Sequence, residues 1–271
     1  MLRFSLAGMQ LKFSALLETY GGLTIPVDGV GGTWIAKLPS SHYAAVPENE
    51  LVMLTLAQEA GVTVAEAQLA SLADLHNVPS GAFAGSGKFL AVRRFDRSAE
   101  GTRVHVEDFA QVFGVYPNRK YGRASYEDIA RVLWAEAGEP AITEFTRRLA
   151  VTALIGNADM HLKNWSLLYA DRRTPTLSPA YDFVSTIPYI PEPELALSLG
   201  ETKVMYEVDE DRFRRFARRA NLPDRLVAKV ARETAERLRD AWRTAPVTNL
   251  LPSTIRAALA KHMDHVPLGR S

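Results

Sequence analysis

The chain has 271 residues, of which 47% are hydrophobic and 23% are charged, and its formal net charge is +1. This length accommodates one large domain or two modest lobes that share a cleft. The near-neutral charge provides no overall field that would attract the chain to nucleic acid or to a membrane. The sequence contains no cysteine, which excludes disulfides and thiolate zinc sites and fits a reducing compartment.

The amino-terminal segment has no continuous apolar run. Arg3, Ser5 and Gln10 interrupt it, so it lacks the apolar region of a signal peptide. No later stretch approaches the length of apolar sequence that a membrane span requires. We therefore expect a cytoplasmic protein without a membrane partner.

The first third of the chain has the patterns of strands and turns. Glycine-rich turns precede the strand-like run Thr-Trp-Ile-Ala-Lys-Leu at 33–38. Apolar residues at helical spacing then predict a helix from Glu48 to Ala60. Two further strands are predicted at Ala65–Leu72 and Lys88–Phe95.

The remainder of the chain has mainly helical patterns. The predicted helices are Val106–Phe113, Ser125–Ala137 and Ile142–Ile155, followed after a hairpin-like stretch at 165–184 by helices at about 210–220, 224–243 and 252–264. Ser125 and Asp128 have the spacing of a capping box. The sequence thus predicts an α+β chain with a strand-rich amino-terminal lobe, residues 1–97, and a helical carboxy-terminal lobe, residues 98–271.

One short run contains residue types that phosphoryl transfer requires. Asp159 and Asn164, in Asn-Ala-Asp-Met-His-Leu-Lys-Asn, have the spacing D-x-x-x-x-N of a kinase catalytic loop. Asp159 would orient the attacking hydroxyl and accept its proton, while the amide oxygen of Asn164 would hold Mg²⁺. Lys163 would add positive charge near the transferring phosphoryl group, and His161 would brace the loop or contact the nucleotide. Taken alone, this spacing also occurs by chance in loops.

Three further residues follow the order expected of a kinase. Asp182, in Pro-Ala-Tyr-Asp-Phe, lies beyond the hairpin, where kinases place their principal Mg²⁺ ligand. Lys37, in Trp-Ile-Ala-Lys, matches the lysine that binds nucleotide phosphates. A lysine in an apolar strand needs an acidic partner, and Glu50 in the next helix fits better than Glu48. The combination predicts a kinase that uses ATP and Mg²⁺.

Several runs of the sequence are similar to one kinase family. They are Ser-Leu-Ala-Gly-Met-Gln-Leu-Lys at 5–12, Leu-Ala-Val-Arg-Arg-Phe-Asp-Arg at 90–97, the catalytic run at 156–164 and Ser-Pro-Ala-Tyr-Asp at 178–182. Over nearly its whole length the chain resembles the HipA-like serine/threonine protein kinases, the toxins of bacterial toxin–antitoxin systems. The resemblance implies a bilobal protein-kinase-like fold, with ATP and Mg²⁺ as cofactors.

The resemblance also implies roles for individual residues. Beyond those above, the nucleotide-binding residues would be Ser5, Ala7, Gly8, Arg94, Phe95 and Asp96. The run at 5–12 would cover the nucleotide, the backbone around Arg94 and Phe95 would meet the adenine, and Asp96 would reach the ribose. Ser5 would also be an autophosphorylation site whose modification abolishes nucleotide binding.

The biological role implied by the resemblance is inhibition of translation. The substrate would be a serine or threonine of a protein, with an aminoacyl-tRNA synthetase as the target. Small antitoxin proteins of the HipS or HipB kind would be partners, and DNA would be reached only through a DNA-binding partner. Because the covering loop begins at Ser5, the chain resembles the short, HipT-like form that lacks the amino-terminal subdomain of full-length toxins. The loop has the single glycine Gly8 instead of G-x-G-x-x-G.

Two other functions are compatible with the motifs. A small-molecule kinase of the aminoglycoside-phosphotransferase type shares the D-x-x-x-x-N loop and the later aspartate, although the Phe-Asp-Arg run at 95–97 argues against it. A nucleotide-binding regulatory module without catalysis would also need a nucleotide pocket. The complete set of Lys37, Glu50, Asp159, Asn164 and Asp182 disfavours an inactive protein.

Overall fold

The computed structural model describes residues 10–18, 22–26, 31–78, 87–98, 101–115 and 124–270. The strands are β1 (Lys12–Leu17), β2 (Leu23–Thr24), β3 (Trp34–Lys37), β4 (Ala67–Ser71), β5 (Leu75–His76), β6 (Lys88–Arg93), β7 (His105–Asp108), β8 (Ser166–Tyr169), β9 (Thr176–Leu177), β10 (Glu194–Leu199) and β11 (Thr202–Val204). The α-helices are α1 (Val46–Glu59), α2 (Phe109–Val112), α3 (Tyr126–Ile155), α4 (Glu210–Arg219), α5 (Asp224–Thr244) and α6 (Ser253–His265). Within these residues, no helix combines the length and the apolar character needed to cross a membrane.

The amino-terminal part is built on a six-stranded sheet in the order β4-β6-β3-β1-β2-β5. All neighbouring pairs are antiparallel except β2 and β5. Successive side chains of a strand face opposite sides of the sheet. On β3, Trp34 and Ala36 pack into a small apolar core, so Lys37 lies on the other face, next to α1. The strands predicted around 33–38, 65–72 and 88–95 are confirmed, with shorter bounds.

The helix α1 confirms the predicted helix at Glu48–Ala60 and begins two residues earlier. Pro47 lies in its first turn, where the missing N–H removes no intrahelical bond. Met53 and Leu54 pack into the main apolar core. The same helix also buries two polar residues, Asn49 and Glu50.

The carboxy-terminal part is helical and contains most of the core. The helices predicted at Ser125–Ala137 and Ile142–Ile155 are two halves of α3, which bends at Gly138, a residue with a positive φ of 66°. Ser125 and Asp128 form the predicted capping box. The helices α4, α5 and α6 confirm the three predicted at the carboxy-terminal end.

The prediction of a helix at Val106–Phe113 is wrong for its first half. His105–Asp108 is the strand β7, which pairs with β8. The helix α2 begins only at Phe109, and Asp108 caps it through a bond from the backbone N–H of Gln111. Strand pairing with a distant segment therefore overrides the local helical spacing.

A short backbone bridge connects the two parts of the chain near the cleft. The N–H of Ala65 donates to the carbonyl oxygen of Ala180 at 2.9 Å, and the N–H of Ala180 donates to that of Thr63 at 2.8 Å. Ala180 lies two residues before Asp182. The connection between α1 and β4 is thus joined to the segment that carries this aspartate.

Candidate active site

Lys37, Glu50 and Asp182 meet in a buried cluster, although they come from three separate elements. The Nζ atom of Lys37 lies 2.5 Å from Oε1 of Glu50 and also forms an ion pair with Oδ1 of Asp182. Lys12, on the neighbouring strand β1, places its Nζ atom 4.0 Å from the second carboxylate oxygen of Asp182. Lys37 therefore has the acidic partner expected from the sequence, together with a second one.

The cations of this cluster stabilise its carboxylates, but burial and then the neighbouring Asp182 act against the ionised form of Glu50 and raise the pKa of this carboxyl. Burial acts against the ammonium form of Lys37, but the carboxylates of Asp182 and Glu50 outweigh burial and raise the pKa of this lysine. Burial likewise acts against the ionised form of Asp182, but Lys37 and Lys12 outweigh it and lower the pKa of this carboxyl. Asp182 is therefore an anion at neutral pH, as a metal ligand must be.

The residues of the predicted catalytic loop lie directly after α3. Gly156 ends the helix in the left-handed conformation with φ of 66°, which suits a glycine. The next residue, Asn157, uses both ends of its side-chain amide. Its Oδ1 accepts from the N–H of Asp159 at 3.0 Å, and its Nδ2 donates to the carbonyl oxygen of Asp182 at 3.2 Å. Asn157 therefore connects the loop to the segment of Asp182.

Two of the remaining predicted loop residues, His161 and Asn164, lie next to Asp159. The Nε2 atom of His161 lies 3.7 Å from Oδ1 of Asp159. Asn164 donates from Nδ2 to the carbonyl oxygen of Asp159 at 2.8 Å, so its Oδ1 is the atom suited to a metal ion. Lys163 lies in a 3₁₀ turn between Leu162 and Asn164, and its side chain is partly exposed.

Asp182 has an unusual backbone conformation. Its φ is 55°, in the left-handed region that residues with a Cβ atom rarely adopt. Such a conformation costs about 1–3 kcal/mol and persists only when the surrounding structure fixes it. Residues in sparsely populated backbone regions concentrate at functional sites, which agrees with the place of Asp182 in this cluster.

A cavity of about 260 Å³ lies between the sheet and the helical part. Its lining includes Lys12, Lys37, Arg94, Phe95, Asp96, Tyr181 and Asp182. The rings of Phe95 and Tyr181 pack with their centroids 5.4 Å apart. The cavity thus joins the predicted adenine-binding residues to the charged cluster.

The carboxylate of Asp96 is held by two arginines. Arg94 donates to both oxygens at 2.8 and 2.7 Å, and Arg97 donates to one of them at 2.7 Å. Burial opposes the ionised form, but Arg94 and then Arg97 outweigh it and lower the pKa of Asp96. Arg94 also donates to the hydroxyl of Ser14 on β1 at 3.1 Å. These bonds fix residues 94–97, the segment that leads from β6 to the helical part.

The predicted residues Ser5, Ala7 and Gly8 lie outside the described residues. Two further residues, Asn49 and Tyr181, lie at the candidate site and were not among the residues predicted from the sequence. Asn49 could have been noticed as an amide within the apolar face of a predicted helix, where asparagine is disfavoured. Tyr181 directly precedes Asp182, and the sequence offers no signal that distinguishes it from a core tyrosine.

The residues present fit a magnesium-bound nucleotide. Mg²⁺ prefers oxygen ligands and usually combines one or two protein carboxylates with phosphate oxygens. The carboxylate of Asp182 and the amide oxygen of Asn164 are such ligands. Lys12 and Lys37 provide positive charge for phosphates at the end of the cavity.

Comparison with solved structures identifies the fold. HipA of Shewanella oneidensis, solved in a complex with HipB and operator DNA, superposes with a TM-score of 0.76 and 24% identity over 97% of this chain and 64% of HipA. The Helicobacter pylori proinflammatory kinase CtkA gives a TM-score of 0.51 and 13% identity over 90% of this chain and 86% of CtkA. The predicted fold class is therefore confirmed: the chain has a bilobal, protein-kinase-like α+β fold.

Comparison of sequences identifies the family. Residues 4–242 match the family model of the HipA-like C-terminal domain, and the chain belongs to this family. A Sinorhizobium fredii protein named "Putative kinase Y4dM" is 49% identical over 99% of this chain and 66% of its own length. A second protein of that organism, "Putative kinase Y4mE", is 34% identical over 87% of this chain and 56% of its own length. The chain thus spans less than two thirds of the length of the curated relatives it matches.

Proposed function

We propose that the chain is an ATP-dependent protein serine/threonine kinase. The observation that carries the proposal is the pair of bonds made by Asn157, which connects Asp159 to the segment of Asp182. These bonds bring a carboxylate suited to accept a proton and a carboxylate suited to hold a metal ion into one site. Lys37 bonds to Asp182 from the opposite side of the cleft and adds the phosphate-binding cation.

Each residue has a distinct role in the proposed reaction. Asp159 orients the hydroxyl of the substrate and accepts its proton, and His161 supports Asp159 from 3.7 Å. Lys163 supplies positive charge beside the reacting phosphoryl group. Asn164 and Asp182 hold Mg²⁺. Bound ATP supplies the transferable phosphoryl group, and Mg²⁺ neutralises charge on its phosphates.

The remaining residues bind the nucleotide. Lys37 contacts the phosphates, and Glu50 keeps Lys37 in position. The backbone at Arg94 and Phe95 meets the adenine, and the Asp96 region meets the ribose. By resemblance to the family, Ser5, Ala7 and Gly8 would also bind the nucleotide, and Ser5 is the proposed site of autophosphorylation.

We further propose that the kinase is the toxin of a toxin–antitoxin system. The family supports this role, and one structural relative, HipA of Shewanella oneidensis, is solved with HipB and operator DNA. The proposed partners are small antitoxin proteins of the HipS or HipB kind, with DNA bound through such a partner. The proposed target is a protein of translation, an aminoacyl-tRNA synthetase, phosphorylated on serine or threonine in the cytoplasm.

The test compares wild-type protein with Asp159→Ala in brief induction followed by phosphoproteomics. Wild type should generate new phosphoserine or phosphothreonine sites that Asp159→Ala does not, because loss of one preorganised contact costs about 10²–10³ in rate. Asp171→Ala is the matched control, because Asp171 is an exposed turn aspartate that bonds to Arg173 and Thr174. It should behave like wild type.

Other outcomes would contradict the proposal. Equal transfer from labelled ATP by wild type and Asp159→Ala would exclude Asp159 as the proton acceptor. Label in small alcohols or sugars instead of proteins would indicate a small-molecule kinase. Nucleotide binding without any transfer, including transfer to Ser5, would indicate a regulatory module.

A further inference from the structure

The segment that follows Asp182 is fixed by a buried asparagine of α1. Asn49 is fully buried and directly precedes Glu50 in the sequence. Its Nδ2 donates to the carbonyl oxygen of Ser185 at 3.0 Å, and its Oδ1 accepts from the N–H of the same residue at 3.1 Å. One side chain therefore satisfies both backbone groups of Ser185, as a neighbouring strand would.

The other side of the segment is fixed to the catalytic loop. Thr186 donates from its hydroxyl to the carbonyl oxygen of Gly156 at 2.9 Å, and the same oxygen accepts from the N–H of Thr186 at 3.0 Å. The hydroxyl of Thr186 accepts from the N–H of Ala158 at 3.0 Å. Residues 185 and 186 thus join α1 to the start of the catalytic loop.

Tyr189 extends the contact with α1. Its hydroxyl accepts from Nδ2 of Asn49 at 3.2 Å and donates to the carbonyl oxygen of Ala44 at 2.9 Å. The ring of Tyr189 packs on Tyr43 with the centroids 5.2 Å apart. Asn49 is therefore the centre of a hydrogen-bonded connection between the start of α1 and residues 185–189.

This connection bears on Asp182 because its backbone is in the left-handed region, with φ of 55°. A residue with a Cβ atom keeps this conformation only if its neighbours fix the chain on both sides. Asn157 holds the carbonyl oxygen of Asp182 itself, and Asn49 holds the chain three residues later. Without Asn49, the segment has fewer bonds that prevent Asp182 from relaxing to an ordinary conformation.

Phosphorylation is a common way to order the corresponding segment of kinases. The two hydroxyl residues of this segment, Ser185 and Thr186, are 0% and 2% exposed, so a modifying enzyme cannot reach them in this conformation. In this structure the segment is held instead by the two hydrogen bonds from the side-chain amide of Asn49 to Ser185.

We propose that Asn49 is a positioning residue that holds residues 183–190 against α1 and thereby keeps Asp182 in its metal-binding conformation. The link to metal binding rests on the proposed kinase function. Because Glu50 is the next residue of α1, the same helix turn positions the partner of Lys37 and the chain beyond Asp182. Movement of α1 would disturb both contacts of Lys37 together.

The first experiment measures hydrogen exchange in the isolated full chain and needs no catalysis. Asn49→Leu removes both bonds to Ser185 while keeping the number and the branching of the side-chain heavy atoms, and Asn49→Ala provides a second, smaller variant. Peptides covering 183–190 should exchange at least about tenfold faster in both variants than in wild type, because bonds to two buried backbone groups are lost. Thr55→Val is the matched control, since Thr55 lies on α1 and bonds only within the helix, to Leu51 at 2.9 Å.

The second experiment measures phosphoryl transfer as Mg²⁺ and ATP are varied separately. The half-saturating Mg²⁺ concentration should rise at least about tenfold in Asn49→Leu, while KM for ATP at saturating Mg²⁺ changes less than about threefold. A merely structural role would lower the active fraction and leave the Mg²⁺ requirement unchanged.

The outcomes separate this inference from the proposed function. Unchanged exchange of 183–190 in both Asn49 variants, or exchange that also rises in Thr55→Val, would overturn the positioning role. Faster exchange with an unchanged Mg²⁺ requirement would overturn it as well. Wild-type protein without any phosphoryl transfer would refute the proposed function, and the exchange of 183–190 would then decide the role of Asn49 alone.

Discussion

The hydroxyl of Tyr181 donates a hydrogen bond to the backbone carbonyl oxygen of Lys163, and the two oxygens are 2.8 Å apart. The same hydroxyl lies 2.6 Å from the hydroxyl of Ser166. The ring of Tyr181 packs on Phe95 and forms a wall of the cavity. Tyr181 therefore connects the proposed nucleotide site to the catalytic loop, through two separable parts of one side chain.

Tyr181→Phe should lower kcat with little effect on nucleotide binding. The variant keeps the ring and removes the hydroxyl, which leaves the carbonyl oxygen of Lys163 without this donor. Without this donor the backbone of the loop at Lys163 is held less firmly, and a rise of about 1.4 kcal/mol in the activation free energy would lower kcat about tenfold. KM for ATP should stay within about threefold, because the wall against Phe95 is retained. Steady-state kinetics with ATP as the varied substrate measure both quantities.

Tyr169→Phe is the matched control for this prediction. The hydroxyl of Tyr169 donates to Glu107 at 2.8 Å on the β7–β8 pair, away from the catalytic loop. Its removal should leave kcat unchanged. A rise in KM for ATP in Tyr181→Phe without a fall in kcat would show that the hydroxyl serves the nucleotide and not the loop.

Lys37 should be essential for stability as well as for activity. Lys37→Met removes the buried cation between the carboxylates of Glu50 and Asp182, and the cation that remains, Lys12, is half exposed and 4.0 Å from Asp182. Removal of one partner from a buried ion pair costs about 3–5 kcal/mol. Adding Glu50→Gln removes one of the two negative charges, so the double variant should recover part of the lost stability. Urea unfolding of the two single variants, the double variant and wild type measures the coupling free energy.

Measurements of phosphoryl transfer distinguish the effect of Lys37 on stability from its proposed effect on phosphate binding. The double variant should remain inactive although it is more stable than Lys37→Met, because the phosphate-binding cation is still absent. Strictly additive free energies of unfolding would show that the buried carboxylates do not repel each other. Recovery of transfer in the double variant would remove Lys37 from the proposed phosphate site.

The sequence was sufficient to predict the parts of the site that depend on local spacing. The loop from Asp159 to Asn164 and the strand of Lys37 are short runs, and they contain the residue types that phosphoryl transfer requires. The partner of Lys37 could also be predicted, because burial of an ammonium group demands a carboxylate and Glu50 begins the adjacent helix. The second carboxylate contact of Lys37, to Asp182, joins residues 145 positions apart and needed the structure.

The features that could not be predicted from the sequence depend on contacts between distant segments. Val106–Phe113 has helical spacing of apolar residues, yet the backbone at its start belongs to the strand His105–Asp108, which pairs with Ser166–Tyr169 because a neighbouring strand is available there. The hydrogen-bonding role of Asn49 could not be predicted for the same reason. Its partner Ser185 is 136 residues away, and a single buried amide in a helix does not reveal which backbone it satisfies.

Gly156→Ala should disturb the junction between α3 and the catalytic loop. A Cβ atom at this position would overlap Cγ1 of Ile187 and lie 3.0 Å from Nε2 of His262, and φ is 66°. The left-handed backbone alone costs about 1–2 kcal/mol for a residue with a Cβ atom, and the overlap adds about 1–3 kcal/mol. We expect a lower free energy of unfolding and a loss of phosphoryl transfer, because Ile187 must move away from the loop.

Gly114→Ala separates the cost of the left-handed backbone from the cost of the steric overlap. Gly114 has a similar φ of 61°, but a Cβ atom there would meet no atom of the described part of the chain within 4 Å. This variant should show only the backbone cost and should keep its activity. Equal losses of stability in Gly114→Ala and Gly156→Ala, measured by urea unfolding, would show that Ile187 and His262 adapt without cost.

His262 should make the fold sensitive to mild acid. It is buried on α6, and its Nε2 lies 2.8 Å from the carbonyl oxygen of Ala153, in the last turn of α3. Burial outweighs this bond and lowers the pKa of His262 below its ordinary value of 6.5, and His265 acts in the same direction. Tyr206, whose ring packs on both histidines, faces Nδ1 of His262 at 3.4 Å.

The sign of the effect follows from proton binding. Between the lowered pKa of His262 and 6.5, the unfolded chain binds more protons than the folded chain, so the free energy of unfolding falls as pH falls through this window. His262→Gln removes the titrating group, and its stability should decline less between about pH 7 and about pH 5 than that of wild type. The exposed His42 provides the control His42→Gln, which should retain the wild-type dependence. Parallel pH profiles for wild type and His262→Gln would show that protonation of this imidazole does not oppose folding.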